Sequence, residues 1–408
     1  MDTPTEPAPF PTKSQTLIWE FLAANPALDA ELGDIEVMTD RYTNEEWATQ
    51  IAETVKKVQA DSEARGKKKY EAPAEGSKEL AETIDHTILK LDATSSQIDA
   101  LCSEARTEGF KSVCVRLNYV QRCISNLKGS PVVVACVVGF HEGTQDTYSK
   151  LREARAAVEA GASELDVVLN YKIITQHSPS IAATSHKTNP STSTTASLTA
   201  SNTAANSKPH AGDSTPAEGP YSMPSSTMKS NQQNSCTSSQ SLPVSDNIPN
   251  YSFIFRELAS LRSLCPSPIT LKLILETSQL TPPQILAAAH LAAAANFDFI
   301  KTSTGFNGRG ASLADVELMV TAAEYLSTTT ESNGGSPVCG RKMQVKASGG
   351  IRSLADATKM LEAGATRLGT SSGLWIMQEG RKVVEEKEGR RPGGVSRLYT
   401  DDDSAGGY

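Results

Sequence analysis

Two lysines occupy positions where a charged amine is costly. Lys301 closes the run Phe297-Asp298-Phe299-Ile300, and Lys346 closes Met343-Gln344-Val345. Both runs read as short buried strands. A lysine buried among strands costs desolvation free energy unless it is neutral or paired. Two ammonium groups close together destabilise each other's charged form, which lowers the pKa of at least one of them. A neutral amine attacks carbonyls and forms Schiff bases. Lys301 is therefore read as the attacking amine, and Lys346 as the cation that keeps it neutral. In the competing reading, each is an ordinary strand-end lysine reaching solvent.

Carboxylates supply the second half of such chemistry. Asp166 lies in the apolar run Glu164-Leu165-Asp166-Val167-Val168. A buried carboxylate needs a cation or a proton. It would either relay protons through a water or form a structural salt bridge to Lys346 or Lys272. Asp85, in Thr83-Ile84-Asp85-His86-Thr87, would orient that relay, contact a substrate hydroxyl, or cap a strand end. Glu276 reads as structural and Cys114 as a small apolar filler. His86 and His141 are single histidines without partners at metal-ligand spacing, so no metal is expected.

Two loops of small residues suggest an anion site. Gly349-Gly350 follows Lys346 closely, and Gly369-Thr370-Ser371-Ser372-Gly373 comes later. Glycines let backbone N–H groups approach a phosphate, and serines add donors. Leu374 to Gln378 could be a short helix offering its N-terminus.

These residues must be positioned by something, and the chain alternates accordingly. Eight β-branched runs are expected to be strands: Thr83–Ile88, Ser112–Leu117, Val132–Val138, Glu164–Leu169, Thr270–Leu275, Phe297–Lys301, Gln344–Ala347 and Arg367–Thr370. Helical patterns lie between them, at Leu151–Gly161, Pro282–Ala295 and Ala355–Gly364. The alternation indicates an α/β fold with a parallel sheet. Counting alone leaves a closed barrel and an open doubly wound sheet both available. The absence of G-x-G-x-x-G after an early strand weakens the dinucleotide-binding version.

Residues 177–250 break the pattern. They are rich in Ser, Thr, Asn, Ala and Pro, and cannot bury enough surface to offset their ordering entropy. A disordered insertion after the fourth strand is expected there. Without it, residues 82–176 and 251–377 join into about 220 residues, close to the roughly 250 of a (β/α)₈ barrel. Residues 1–80 read as a partly helical extension, with helices near Ser14–Ala24 and Asn44–Gln59. Residues 378–408 read as a flexible, charged, Gly-rich tail, and its terminal Tyr408 could fold back over the site and move protons.

Composition excludes several classes. Net charge is −8, from 39 basic and 47 acidic residues, which argues against a nucleic-acid partner. No run of 18 apolar residues exists to span a membrane. The first residues lack a secretory pattern and the last lack a prenylation or peroxisomal signal. The seven cysteines form no C-x-x-C pair, so free thiols in a reducing, cytoplasmic setting fit best.

Six stretches together resemble deoxyribose-phosphate aldolase, a Schiff-base aldolase family built on a (β/α)₈ TIM barrel. They are TIDHTILK (83–90), SVCVRL (112–117), EARAAVEAGASELDVVLN (153–170), LKLILET (271–277), DFIKTSTGF (298–306) and VKASGGIRSLADATKMLEAGATRLGTSSG (345–373). The resemblance implies Lys301 as Schiff-base lysine, Lys346 as the lysine that lowers its pKa, Asp166 as proton relay and Asp85 as a supporting acid. Gly349, Gly350, Ser371 and Ser372 would line the phosphate pocket, with Thr304 and Gly305 beside them. It implies reversible cleavage of 2-deoxyribose 5-phosphate to glyceraldehyde 3-phosphate and acetaldehyde, with no cofactor. Partners would be those small molecules, with a homo-oligomer allowed. The alternative is a catalytically silent barrel that uses its Ser/Thr-rich insertion to bind partners.

Overall fold

A computed structural model of the chain describes residues 11–29, 37–65, 68–176, 248–328 and 342–389. The inserted segment 177–247 and the end of the tail, with Tyr408, lie outside the described residues. Eight strands form the centre: β1 (Ile84–Thr87), β2 (Ser112–Val115), β3 (Val133–Val138), β4 (Glu164–Val168), β5 (Thr270–Ile274), β6 (Phe299–Lys301), β7 (Gln344–Ser348) and β8 (Arg367–Thr370). They close into a parallel barrel in sequence order, β8 pairing back onto β1. The closed (β/α)₈ arrangement thus resolves the ambiguity that strand counting leaves.

Strand alternation separates two environments. On β4, Leu165 and Val167 join the large apolar layer beneath the helices, while Val168 joins a smaller apolar cluster inside the barrel. The register then decides which inward residues meet. Asp166 pairs with Lys272, Lys301 with Lys346, and Lys346 with Arg367. Paired residues on parallel strands point to the same face, so these polar residues share the interior.

The helices begin and end where local chemistry directs. Thr94 caps Ser95–Glu108 through a reciprocal capping box with Gln97, and Gly109 ends it at φ +73°. Thr281 and Gln284 do the same for Pro282–Ala294, which carries Pro at its first turn. From Ile285 to Ala294 every residue of that helix is buried. Its outer face is covered by Asn44–Arg65, which buries Trp47, Ile51 and Val58 and hydrogen-bonds Thr54 to His290 at 2.9 Å. A helix apolar on all sides needs such a second layer. The helix Asn44–Arg65 therefore docks on the barrel.

One expectation is corrected. The short helix expected at Leu374–Gln378 runs from Gly373 to Lys387, so the tail does not begin at Gln378. Tertiary contacts override its charged composition. Gly380 lies so close to Gly76 that a Cβ there would sit 2.4 Å from the Gly76 nitrogen. Arg381 forms two bonds to Glu108, at 2.7 and 2.9 Å, and Lys387 pairs with Glu75 at 2.5 Å.

Candidate active site

Asp166 is the hub of the barrel interior. Its Oδ2 accepts from Lys301 Nζ and from Lys346 Nζ, each at 2.8 Å. Its Oδ1 accepts from Lys272 Nζ at 2.7 Å. Lys346 also lies 2.5 Å from Asp85 Oδ2. Lys272 reaches Glu164 Oε2 at 2.6 Å and stands 4.0 Å from Asp85. Arg367 closes the ring, 2.6 Å from Asp85 Oδ1 and 3.1 Å from Glu164 Oε2. The Ser112 hydroxyl donates to Asp85 Oδ1 at 2.7 Å. All seven charged residues are buried.

The cluster holds four bases against three carboxylates. In a desolvated space an unmatched charge is strongly disfavoured. One base must therefore be poised to lose its proton. Arg367 keeps its own because a guanidinium does not titrate in this range. Lys346 touches Asp166 and Asp85; Lys272 touches Asp166 and Glu164. Among the described residues, Lys301 has Asp166 as its single carboxylate partner. The surplus falls on Lys301. Burial lowers its amine pKa; Asp166 opposes that and Lys346 adds to it, leaving the pKa below the ordinary lysine value. Burial acts on Lys346 and Lys272 too. There the carboxylates outweigh it and hold both amines above the ordinary value. Burial would raise Asp166 and Asp85, yet the surrounding cations hold both below the carboxylate range.

Beside this polar side runs an apolar one. Leu89, Cys114, Val137, Phe140, Val168 and Ile274 form a separate cluster inside the barrel. The Cys114 thiol lies 3.9 Å from Asp166 Oδ2, and burial pushes its pKa up to about 11, so it stays protonated. An apolar wall beside a reactive amine suits a small aldehyde with one polar end.

The loop residues converge as well. Gly349 and Gly350 both take positive φ, +84° and +76°. A Cβ on Gly349 would meet Ser303 Oγ at 2.7 Å and Gly305 Cα at 3.5 Å, so the loops after β6 and β7 are in contact. Ser372 N–H donates to Thr370 Oγ1 at 2.9 Å, and that hydroxyl donates to Ile351 O at 2.6 Å, joining the loop after β8. Ser371 and Ser372 precede the first turn of Gly373–Lys387. Thr304 differs from the rest of the set. Both its N–H and its hydroxyl donate to Glu276, so neither is free for an anion in this arrangement.

Sequence reading names Lys272 only as a salt-bridge candidate and misses Glu164 and Arg367. The signal is present. Glu164 stands two residues before Asp166, hence on the same face, and Arg367 opens the strand that pairs with Lys346. Glu276, read as structural, takes a left-handed backbone (φ 57°, ψ 61°) and packs against the loop after β6.

Known proteins are similar to this chain over the barrel. A family profile described as DeoC/LacD family aldolase matches residues 80–178 and 256–379. A deoxyribose-phosphate aldolase of Coccidioides immitis is 36% identical over 310 residues, covering 75% of this chain and 84% of that one. One from Carboxydothermus hydrogenoformans is 33% identical, covering 74% and 95%. A solved Coccidioides immitis structure, assigned as a deoxyribose-phosphate aldolase, aligns with TM-score 0.59 at 34% identity over 84% of this chain and 99% of that one. The matched segments hold every strand of the barrel and all seven members of the charged cluster, and the chain belongs to the DeoC/LacD family of aldolases.

Proposed function

We propose that this aldolase reversibly cleaves 2-deoxy-D-ribose 5-phosphate to D-glyceraldehyde 3-phosphate and acetaldehyde through a Schiff base on Lys301. The observation that carries the reading is the surplus base: Lys301 shares one oxygen of Asp166 with Lys346 and has no second carboxylate among the described residues. The substrate class rests on the relatives' names and on the small-residue loops at the ends of β7 and β8.

That geometry supports the following steps. The neutral Lys301 amine adds to the C1 aldehyde of the open-chain sugar, and the carbinolamine loses water to give an iminium ion. A base acting through water removes the proton of the C3 hydroxyl. The C2–C3 bond breaks, its electron pair flowing toward the iminium nitrogen to leave an enamine, and glyceraldehyde 3-phosphate departs. Protonation at C2 and hydrolysis release acetaldehyde and return the amine, taking back the water lost earlier. Asp166 is the proton acceptor best placed for these transfers, and Lys346 the adjacent donor. Asp85 holds Lys346 from the other side. Gly349, Gly350, Ser371 and Ser372 would receive the phosphate, with Gly305 beside Gly349. The activity would belong to deoxyribose phosphate catabolism.

The test is reductive trapping. Acetaldehyde with borohydride is expected to inactivate the protein and add an ethyl group at Lys301, while Lys301→Ala lowers kcat/KM by roughly 10⁴-fold or more. An active enzyme with unmodified Lys301 sinks the mechanism. Comparing aldehyde release from several sugar phosphates tests the substrate.

A further inference from the structure

Lys272 takes no part in the steps above, yet it is completely buried and makes two of the short ion pairs in the interior. Its position is fixed by register: it stands opposite Asp166 on the neighbouring strand. Its ammonium takes Asp166 Oδ1 at 2.7 Å and Glu164 Oε2 at 2.6 Å. Glu164 is held in turn by Arg367 at 3.1 Å. Asp166 is thus gripped by one oxygen from below, and its other oxygen is left to Lys301 and Lys346.

We propose, resting on the aldolase reading, that Lys272 is a positioning residue: it orients Asp166 so that Oδ2 faces both active-site lysines, and with Glu164 it sets the charge balance that leaves Lys301 as the unprotonated amine. Six of the other strands contribute to the field that Lys301 meets. β1 brings Asp85, β2 Cys114, β4 Glu164 and Asp166, β5 Lys272 with Glu276 at its end, β7 Lys346, and β8 Arg367. Lys272 and Glu164 are opposite charges at the same place in that set. Neither touches Lys301.

That opposition makes the role separable from simple structural support. Removing the Lys272 charge makes the surroundings of Lys301 more negative, so its proton is held more tightly. Removing the Glu164 charge does the reverse. The acidic limb of the kcat/KM profile reports this, because the reaction needs the free amine. Lys272→Met is expected to move that limb up by about one pH unit or more, and Glu164→Gln to move it down by a similar amount, for charges at this range in a low-dielectric interior. The same opposed shifts should appear when acetaldehyde and cyanoborohydride label Lys301 across pH and the labelled peptide is weighed. Limbs that stay put, or that move the same way in both variants, overturn the proposal and leave Lys272 structural. Should Lys272→Met fail to fold, Glu164→Gln decides alone, since it keeps the side-chain volume. Wild-type protein unlabelled at Lys301 at every pH would instead sink the aldolase reading, and the role of Lys272 with it.

Discussion

Two buried ionic sites in this molecule look alike and differ in one respect. Between the helices Thr147–Glu159 and Tyr251–Leu264, Lys150 pairs with Glu257 at 2.6 Å, and both are buried. The Lys150 ammonium also donates to Val168 O at 3.1 Å, and Thr147 donates to Glu257 at 3.2 Å. One base meets one acid in direct contact. The contact cluster around Asp166 holds four bases and three acids, and Glu276 stands outside it, bonded to Thr304. The first site is a staple, a single contact pair of opposite charges between two helices. The second cannot satisfy every member at once, and the mismatch falls on Lys301. Burial alone does not make a lysine reactive; burial with one counter-charge too few does.

The largest test of that comparison removes another counter-charge. Asp166→Asn leaves the cluster with four bases and two carboxylates and takes from Lys301 its single carboxylate partner among the described residues. The expected result is a fall in kcat/KM of about 10³-fold, from lost proton transfer and disordered lysines together. Stability should also fall by about 3–5 kcal/mol, since breaking a buried pair strands charge. Steady-state kinetics with a thermal melt read both. A variant that keeps its rate would show that Asp166 only fills space.

The fold was accessible to sequence reading because its strands are short, β-branched and separated by helices of regular pattern. All eight lie where that pattern puts them, to within two residues at either end. Lys301, Lys346 and Asp166 are legible for a related reason: a charged residue inside an apolar run advertises itself. Glu164 and Arg367 are not, because each stands at the edge of its strand, where a charge looks like the start of a turn. Closure of the barrel brings them inside, and closure is a property of all eight strands together. The helix through Lys387 escapes notice similarly. Its charged face looks solvated until Gly76 and Glu108 are placed against it.

A second test strikes the balanced site. Lys150→Met leaves Glu257 buried without its cation, and should cost about 3–5 kcal/mol of stability. Turnover per folded molecule should stay within about two-fold, because the pair touches no part of the proposed chemistry. Pairing it with Glu257→Leu should restore most of the loss, since a matched apolar pair of similar volume is nearly neutral. Denaturant melts with activity measured below the midpoint check both expectations. A collapse of turnover in the single variant, at full folding, would mean that the staple also shapes the end of β4.

A third buried titratable group solves the same problem by staying neutral. His290 lies beneath Trp47, its Nδ1 2.9 Å from the Thr54 hydroxyl, where the N-terminal helix meets the barrel. Burial lowers its pKa to about 4, from an ordinary value of 6.5. The unfolded chain therefore takes up a proton there before the folded one does. The stability tied to neutral His290 is complete above pH 6.5 and is lost as pH falls from 6.5 toward 4, up to about 3 kcal/mol. His290→Asn keeps a polar atom near the Nδ1 position without titrating. Its melting temperature should fall less than that of the wild type between pH 7 and pH 4.5. Parallel losses in the two proteins would mean that acid acts elsewhere, on the carboxylates whose pKa values are held low inside the barrel.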